Sequence, residues 1–303
     1  MGTEVTISSI SEYIASVCKA KDGAEEKSVL FPHEVLFRGQ ADKNYALIPS
    51  IGRNRDFACD CTIFNEERNL IDMAKFKMPN TFRSDLPPIE LLALLQHHGI
   101  PTRLLDISEN ALVALYFACC ENEKADGEVI VFEHKNMHVT NYPIINAIAD
   151  SYRFSNDSDT YRPLGMFYRD VKVQPYFLEQ KQSIEICHKD DTAGGKWIAE
   201  CCDKIFYIYA PIQSLRQQVQ QGRYILFPNN ITYDIHPEGA FEWTIKPIPK
   251  DHSDIVMRII IPKEQKEKIL SDLSILGISK SILFCDNIDT VCEGIVNSFK
   301  KRY

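Results

Sequence analysis

Two short stretches concentrate side chains that can bind and orient a polar or charged ligand. The first reads Leu36-Phe37-Arg38-Gly39-Gln40 and is followed by Tyr45 and by Pro49-Ser50-Ile51-Gly52-Arg53. The second reads Gln96-His97-His98-Gly99-Ile100-Pro101-Thr102-Arg103-Leu104-Leu105-Asp106 and runs into Ala114-Leu115-Tyr116-Phe117-Ala118. Polar groups of such varied type are costly to bury between apolar runs unless each is paired. That density is more usual at a site than in a passive core. A purely structural reading stands beside it. Arg38 then pairs with Glu66 or Glu67, Arg103 pairs with Asp106, and the histidine pair before Gly99 caps a helix C-terminus, where positive charge is favoured. Metal is not expected. Adjacent His97 and His98 cannot both face one ion without a turn between them, and no carboxylate or cysteine sits at helical spacing to complete a zinc site.

The elements that must position these residues follow from periodicity and punctuation. Ile7, Ile10, Ile14 and Val17 predict a helix over 7–20. Val35-Leu36-Phe37 predicts a buried strand that delivers Arg38 at its end. Residues 62–77 read as a helix, and the next one opens at Pro87-Pro88 and stops at Gly99. Residues 100–106 then read as a short strand carrying Thr102, with Ser108 capping a helix whose Leu112, Leu115, Tyr116 and Cys119 share one face. Asp126-Gly127 turns into a strand over 128–133. Residues 140–200, irregular and aromatic, are expected as loops and short elements covering a site. Strands follow at 204–210, 223–227 and 254–261, a helix at 263–276 stopped by Gly277, a strand at 281–284, and a last helix at 288–300. Without regular βαβ alternation the fold class is α+β. One domain is expected over 1–303, divided into an N-terminal helix (1–30), a motif-bearing half (31–135), a loop-rich cover (136–203) and a second strand set with C-terminal helices (204–303).

Composition narrows the function classes. The chain has 303 residues, 45% apolar and 25% charged, the balance of an ordinary globular protein. Lys and Arg number 34 against 42 Asp and Glu, a net charge of −8, which argues against broad nucleic-acid or anionic-membrane binding but leaves room for a local basic pocket. No apolar run of 18 residues suggests a membrane helix, and residues 1–20 lack the basic and apolar regions of a signal peptide, so a cytoplasmic location is expected. The ten cysteines include the adjacent pairs Cys119-Cys120 and Cys201-Cys202 and no C-x-x-C, a pattern of reduced thiols acting as small hydrophobes. Dinucleotide-fold, phosphate-loop, nucleophile-elbow and zinc-protease signatures are absent.

The two polar stretches resemble the FRG domain, a family named for the Phe-Arg-Gly seen at Phe37-Arg38-Gly39. The second stretch is similar to that family's Q-H-x-G-x-P-T-R-L-L-D signature and to the A-L-Y-F-A helix after it. A third block, Arg216, Gln220, Gly222 and Tyr224, is similar to R-x-x-x-Q-x-G-x-F, with Tyr224 in place of phenylalanine. Ile107 stands where relatives often carry tryptophan. The resemblance covers roughly residues 30–135 and 204–228. A more distant likeness is to the ADP-ribosyltransferase superfamily, which implies a mixed, mainly antiparallel split sheet with flanking helices. It also implies NAD as substrate and cleavage of the nicotinamide–ribose bond, as ADP-ribosyltransferase or NAD glycohydrolase. By that likeness Arg38, Thr102 and Gln220 are catalytic, although no E-x-E or Q-x-E pattern occurs around Gln220.

The binding set implied is Gly39, Gln40, Tyr45, His97, Arg103, Asp106 and Tyr116. Arg38 would grip the pyrophosphate with its planar fork, and the backbone at Gly39 would approach the ligand closely. Thr102 or Gln220 would bond ribose hydroxyls, and Asp106 or Glu109 would supply negative charge. His97 would bond phosphate or ribose, and Tyr45 or Tyr116 would stack on nicotinamide. The partners implied are NAD and a macromolecular acceptor, protein or nucleic acid. A toxin or phage-defence role would add an antitoxin or other regulatory protein. No metal and no membrane partner are expected. The alternative is a non-catalytic module holding a nucleotide or peptide in the same pocket.

Overall fold

The structure, a computed structural model, describes residues 2–26, 33–53, 63–134, 138–139, 143–154, 164–178, 190–202, 204–211, 214–228, 234–235, 241–242, 245–286 and 292. Strand β1 (Thr3–Thr6) precedes helix α1 (Ile10–Glu26), and β2 (Glu34–Gln40) carries the Phe-Arg-Gly triplet. Helices α2 (Glu67–Lys77) and α3 (Pro88–His97) lead to β3 (Leu104–Ser108), α4 (Ala111–Cys119) and β4 (Gly127–His134). After the short β5 (His138–Val139) come α5 (Pro143–Ala149), α6 (Leu164–Val171), α7 (Pro175–Leu178) and α8 (Asp191–Cys202). Strand β6 (Phe206–Tyr209), α9 (Leu215–Val219) and β7 (Gly222–Leu226) follow, then a small ribbon of β8 (Asp234–Ile235) and β9 (Phe241–Glu242). Strand β10 (Ile255–Ile261), α10 (Lys266–Ile275) and α11 (Lys280–Leu283) complete the described elements.

Eight strands form one sheet in the order β1-β10-β4-β2-β3-β7-β6-β5. Its pairs are antiparallel except β1 with β10 and β5 with β6. The α+β class with a mixed, mainly antiparallel sheet and flanking helices is therefore present. The sheet is also split. Strands β2 and β4 pair along seven residues, but β2 and β3 meet only at Phe37 opposite Ser108. Beyond that point the end of β2 and the start of β3 are no longer partners. Strand alternation then fills two faces. Leu36, Ile130, Phe132, Leu105 and Ile225 line one face common to both halves. On the other face, Phe37, Val129, Val131 and Ile259 pack under α1, α4 and α10, whereas Leu104, Tyr224, Leu226 and Ile208 pack under α3, α5 and α6. Two helical layers thus cover the two halves of one sheet.

Several elements differ from expectation, each for a local reason. Helix α1 begins three residues late because Thr3–Thr6 pairs in parallel with β10. Arg38 lies within β2 rather than at its end. Thr102 precedes β3, which starts at Leu104. The cap of α4 is Asn110, whose side chain accepts from the Leu112 and Val113 amides, while Ser108 ends β3 and accepts from the Asn110 amide. Helix α4 is buried on nearly every side, not along one stripe, because it sits between the sheet and α10. Residues 281–283 belong to helix α11 and Phe284 caps it, so no strand forms there. Within 136–203 the described residues are mainly helical and packed into the core through Ile144, Ile145, Tyr152, Phe167 and Phe177, and none lines the cleft described below. The expected helix at 288–300 lies outside the described residues apart from Cys292.

Candidate functional site

A cleft of about 900 Å³ opens where the sheet splits. One wall is the end of β2 with Arg38, Gly39 and Gln40, and the other is β3 with Asp106 and Ile107. Arg38 marks the junction. It is half-buried, and its Nη1 donates to the Asp106 carbonyl oxygen at 2.5 Å and its Nε to Gln40 Oε1 at 3.4 Å. Among the described residues no carboxylate lies within ion-pair distance of it; Glu67, its expected structural partner, binds Arg103 instead. Burial, with nearby Arg53 adding to it and Asp106 opposing, pushes the Arg38 guanidinium down to about 10, still fully protonated at neutral pH. Gln40 is buried and donates to the Tyr45 carbonyl at 3.1 Å, which ties the half-exposed Tyr45 to the rim.

Asp106 faces the cleft and is held by a relay. Thr102 Oγ1 donates to Gln96 Oε1, and Gln96 Nε2 donates to Asp106 Oδ1 at 2.7 Å. Thr102 also accepts the Leu104 amide at 3.2 Å, so the turn into β3 fixes the hydroxyl. Thr102 is buried and does not line the cleft. Thr102, expected at the ligand, instead stands behind Asp106 and bonds Gln96.

The far wall is built by α9 and the turn after it. Gln220 lines the cleft, its Nε2 donating to the Leu283 carbonyl at 2.9 Å and its own carbonyl accepting from Ser108 Oγ at 2.7 Å. Arg216 stacks on the Phe284 ring, its guanidinium carbon 4.3 Å from the centroid. His97, the last residue of α3, lies 3.9 Å from Asp286, and burial above all, then His98, lowers its pKa. Tyr224 sits opposite Asp106 in register and lines the cleft.

Other expected site residues lie elsewhere. Arg103 is fully buried beside α2, its Nε 2.9 Å from Glu67 Oε1 and its Nη1 bonded to the Ile148 carbonyl at 3.0 Å and to Ser151 Oγ at 2.7 Å. It ties the start of β3 to α2, and its carboxylate partner is Glu67 rather than Asp106. Tyr116, on α4, is buried in the core, where burial lifts its hydroxyl to about 12; its neighbour Phe117 faces the cleft. Gly39 lines the cleft, but a Cβ there would stand 1.9 Å from the Ala114 carbonyl oxygen, so its glycine serves the packing of α4 on β2. Glu109 is engaged by Arg223 at 3.0 Å. His98 packs edge-on against Phe82. Arg53, Arg216, Gln96 and Phe117 reach the cleft although none stands in the expected catalytic or binding set. Arg53 and Gln96 stand inside the two polar stretches, and Arg216 opens the third block; what the sequence lacks is the fold that brings them together.

Three arginines and His97 face Asp106 and Glu121 around one cleft, in a chain whose net charge is −8. Fold and site together define a split-sheet α+β protein with a cationic, partly apolar cleft suited to an anionic ligand with a flat group. Residues 33–127 match the family model of the FRG domain. That span holds β2, α2, α3, β3 and α4, hence Arg38, the Asp106 relay and the glycine packing, while Arg216 and Gln220 lie beyond it. No curated protein and no solved structure matches the chain. Among the described residues no group of three or more His, Cys, Asp or Glu could hold a metal ion, and no helix is long and apolar enough to cross a membrane.

Proposed function

We propose that the cleft binds NAD and cleaves its nicotinamide–ribose bond, transferring ADP-ribose to a protein, a nucleic acid or water. The observation that carries this reading is Arg38, a half-buried guanidinium with no carboxylate partner among the described residues, beside a carboxylate that a relay holds in place. Arg38, with Arg53 beside it, grips the pyrophosphate. In the reaction the bond from the ribose C1′ to the nicotinamide nitrogen breaks, and its electron pair leaves with nicotinamide. The ribose carries oxocarbenium-like charge at that moment, as in glycoside hydrolysis. Asp106 stabilises that charge, the acceptor oxygen or nitrogen bonds C1′, and its proton goes to solvent. Phe117 and Tyr45 offer aromatic surface to the nicotinamide. On this reading the protein acts as an ADP-ribosyltransferase-like enzyme, working in the cytoplasm as a toxin or antiviral effector restrained by a regulatory protein.

A specific observation favours a second reading. The Gln220 amide is committed to Leu283 and the Thr102 hydroxyl to Gln96, so two of the three expected catalytic groups are already engaged. The cleft then serves as a nucleotide-binding module without turnover. Incubation with NAD separates the two: release of nicotinamide that depends on Asp106 supports the enzyme, whereas saturable binding without release supports the module. Absence of both removes NAD from the site.

A further inference from the structure

The residues that follow Ser279 touch the cleft wall at successive points without lining the cleft themselves. The Leu283 carbonyl accepts from Gln220 Nε2 at 2.9 Å. The Phe284 ring lies 4.3 Å from the Arg216 guanidinium and meets Phe117 edge-on at 6.2 Å between centroids. Asp286 stands 3.9 Å from His97. Gln220, Arg216, Phe117 and His97 all line the cleft. Four neighbours of the ligand space, drawn from α3, α4 and α9, are therefore held by one short segment far away in the chain and outside the matched FRG span.

Arg216 shows what this holding does. It is half-buried, and among the described residues no carboxylate lies within ion-pair distance of it. Stacking covers one face of a guanidinium and leaves its in-plane N–H donors for an acceptor that can take two at once. A phosphate group has that geometry. Arg38 and Arg216 approach the cleft from different elements, β2 and α9, so a ligand touching both carries anionic oxygens at two points. We infer that Arg216 is a second anion contact of the cleft, suited to a ligand with more than one phosphate group, and that Phe284 is the positioning residue that aims it. The inference deepens the dinucleotide reading and rests on the same cleft.

The test is calorimetric titration of the full chain with inorganic pyrophosphate and, separately, with NAD, alongside thermal melts. Arg216→Gln weakens pyrophosphate binding by about tenfold or more, the loss expected of one charge-assisted contact. Phe284→Leu, which keeps apolar volume but loses the flat face, weakens it as well, Phe284→Tyr restores it, and the Arg216→Gln/Phe284→Leu pair is no worse than Arg216→Gln alone. Unchanged affinity in Arg216→Gln overturns the inference, and so does an additive loss in the pair. Should Phe284→Leu melt too low to titrate, Arg216→Gln and Phe284→Tyr decide, since the first must lose affinity and the second must keep it. Arg38→Ala separates this inference from the dinucleotide reading. NAD binding that needs Arg38 but not Arg216 sinks the inference alone. Pyrophosphate binding that needs Arg216, without any NAD binding, sinks the dinucleotide reading alone. Failure of the wild-type chain to bind either probe removes both.

Discussion

Arg38 and Arg103 look alike in sequence, each an arginine between apolar runs, and the structure separates them by their partners. Arg103 sits fully buried against Glu67, so cutting it leaves an uncompensated buried carboxylate. Arg103→Met is expected to cost about 3–5 kcal/mol and to lower the melting temperature by roughly 10 °C. Arg38 holds only a carbonyl and an amide oxygen at the cleft, so Arg38→Ala should leave the melting temperature within a few degrees of wild type. It should also weaken NAD binding by about 30- to 150-fold, the loss of 2–3 kcal/mol. Arg38→Lys should fail almost as badly, because an ammonium lacks the planar fork. Titration and a melt on the same samples check both statements, and an Arg38→Ala chain that binds normally ends the case for this arginine. The candidate site was legible where a residue's own chemistry and its place at a strand decide its role, as at Arg38, Gln40 and Asp106. It was illegible where the partner is distant in sequence, as where Glu67 claims Arg103 from 36 residues away, and where a turn folds a near neighbour back, as where Gln96 takes the Thr102 hydroxyl expected to reach the ligand.

The elements around the site owe their spacing to small residues more than to polar ones. Helix α4 crosses β2 and β4 so closely that a Cβ on Gly39 would lie 1.9 Å from the Ala114 carbonyl oxygen, and one on Gly127 would lie 2.2 Å from that of Ala118. Ala114 and Ala118 are one helical step of four apart, hence on one face of α4. The glycine after Arg38 and the alanines of the later helix, which read in sequence as parts of a site, are two sides of one contact. Gly39→Ala should therefore cost about 3 kcal/mol or more through displaced backbone, seen as a large drop in the melting temperature even where no ligand is present. A melt equal to wild type would contradict this packing. The helical layer beside the other half of the sheet carries a different stress. Asp150 is buried, with Tyr176 Oη donating to it at 3.0 Å and Arg153 at 3.2 Å, yet burial outweighs these partners and lifts its carboxyl to about 6. A carboxyl whose folded pKa is raised favours the folded state below its unfolded value, near 4, and loses that contribution as pH rises through about 6. Stability should thus fall between pH 4 and 6 by on the order of 2–3 kcal/mol from this group. Asp150→Asn should flatten that part of the profile, and an unchanged profile in denaturant titrations across this range would assign it to other groups.

At the scale of the whole molecule, the class of the fold was legible and the covering of the cleft was not. Strand runs such as 35–37, 128–133 and 254–261 declare themselves by apolar content, and their lack of alternation with helices excludes a doubly wound sheet. The parallel edge strand Thr3–Thr6 is short and mostly exposed, so no hydrophobic pattern marks it. The stretch from 143 to 202 misled for the opposite reason. The helices described there bury aromatic residues in varied directions, so no single period emerges, and among the described residues the irregular pattern belongs to a packed layer. That difference changes where a ligand should be felt. Among the described residues, the halves of the sheet share one residue pair in register, Phe37 with Ser108, and the side-chain bonds of Arg38 to the Asp106 carbonyl, Tyr209 to Glu34 and Tyr207 to Asp254. A ligand gripped by Arg38 on one half and by Asp106 and Arg216 on the other adds a link at the open end of the split, where the strands do not pair. Binding stabilises the folded chain by about 2.7 kcal/mol at a hundredfold excess over Kd. The openings it suppresses are those that need the halves to part, because only these release the ligand. Amide hydrogen exchange with and without saturating NAD should therefore slow at residues 36–40 and 104–108, while residues 143–149 and 191–202 exchange as before. Protection that rises in the 143–202 layer instead would return that layer to the role of a cover. Equal exchange everywhere at a concentration known to saturate would mean that the ligand does not bridge the split.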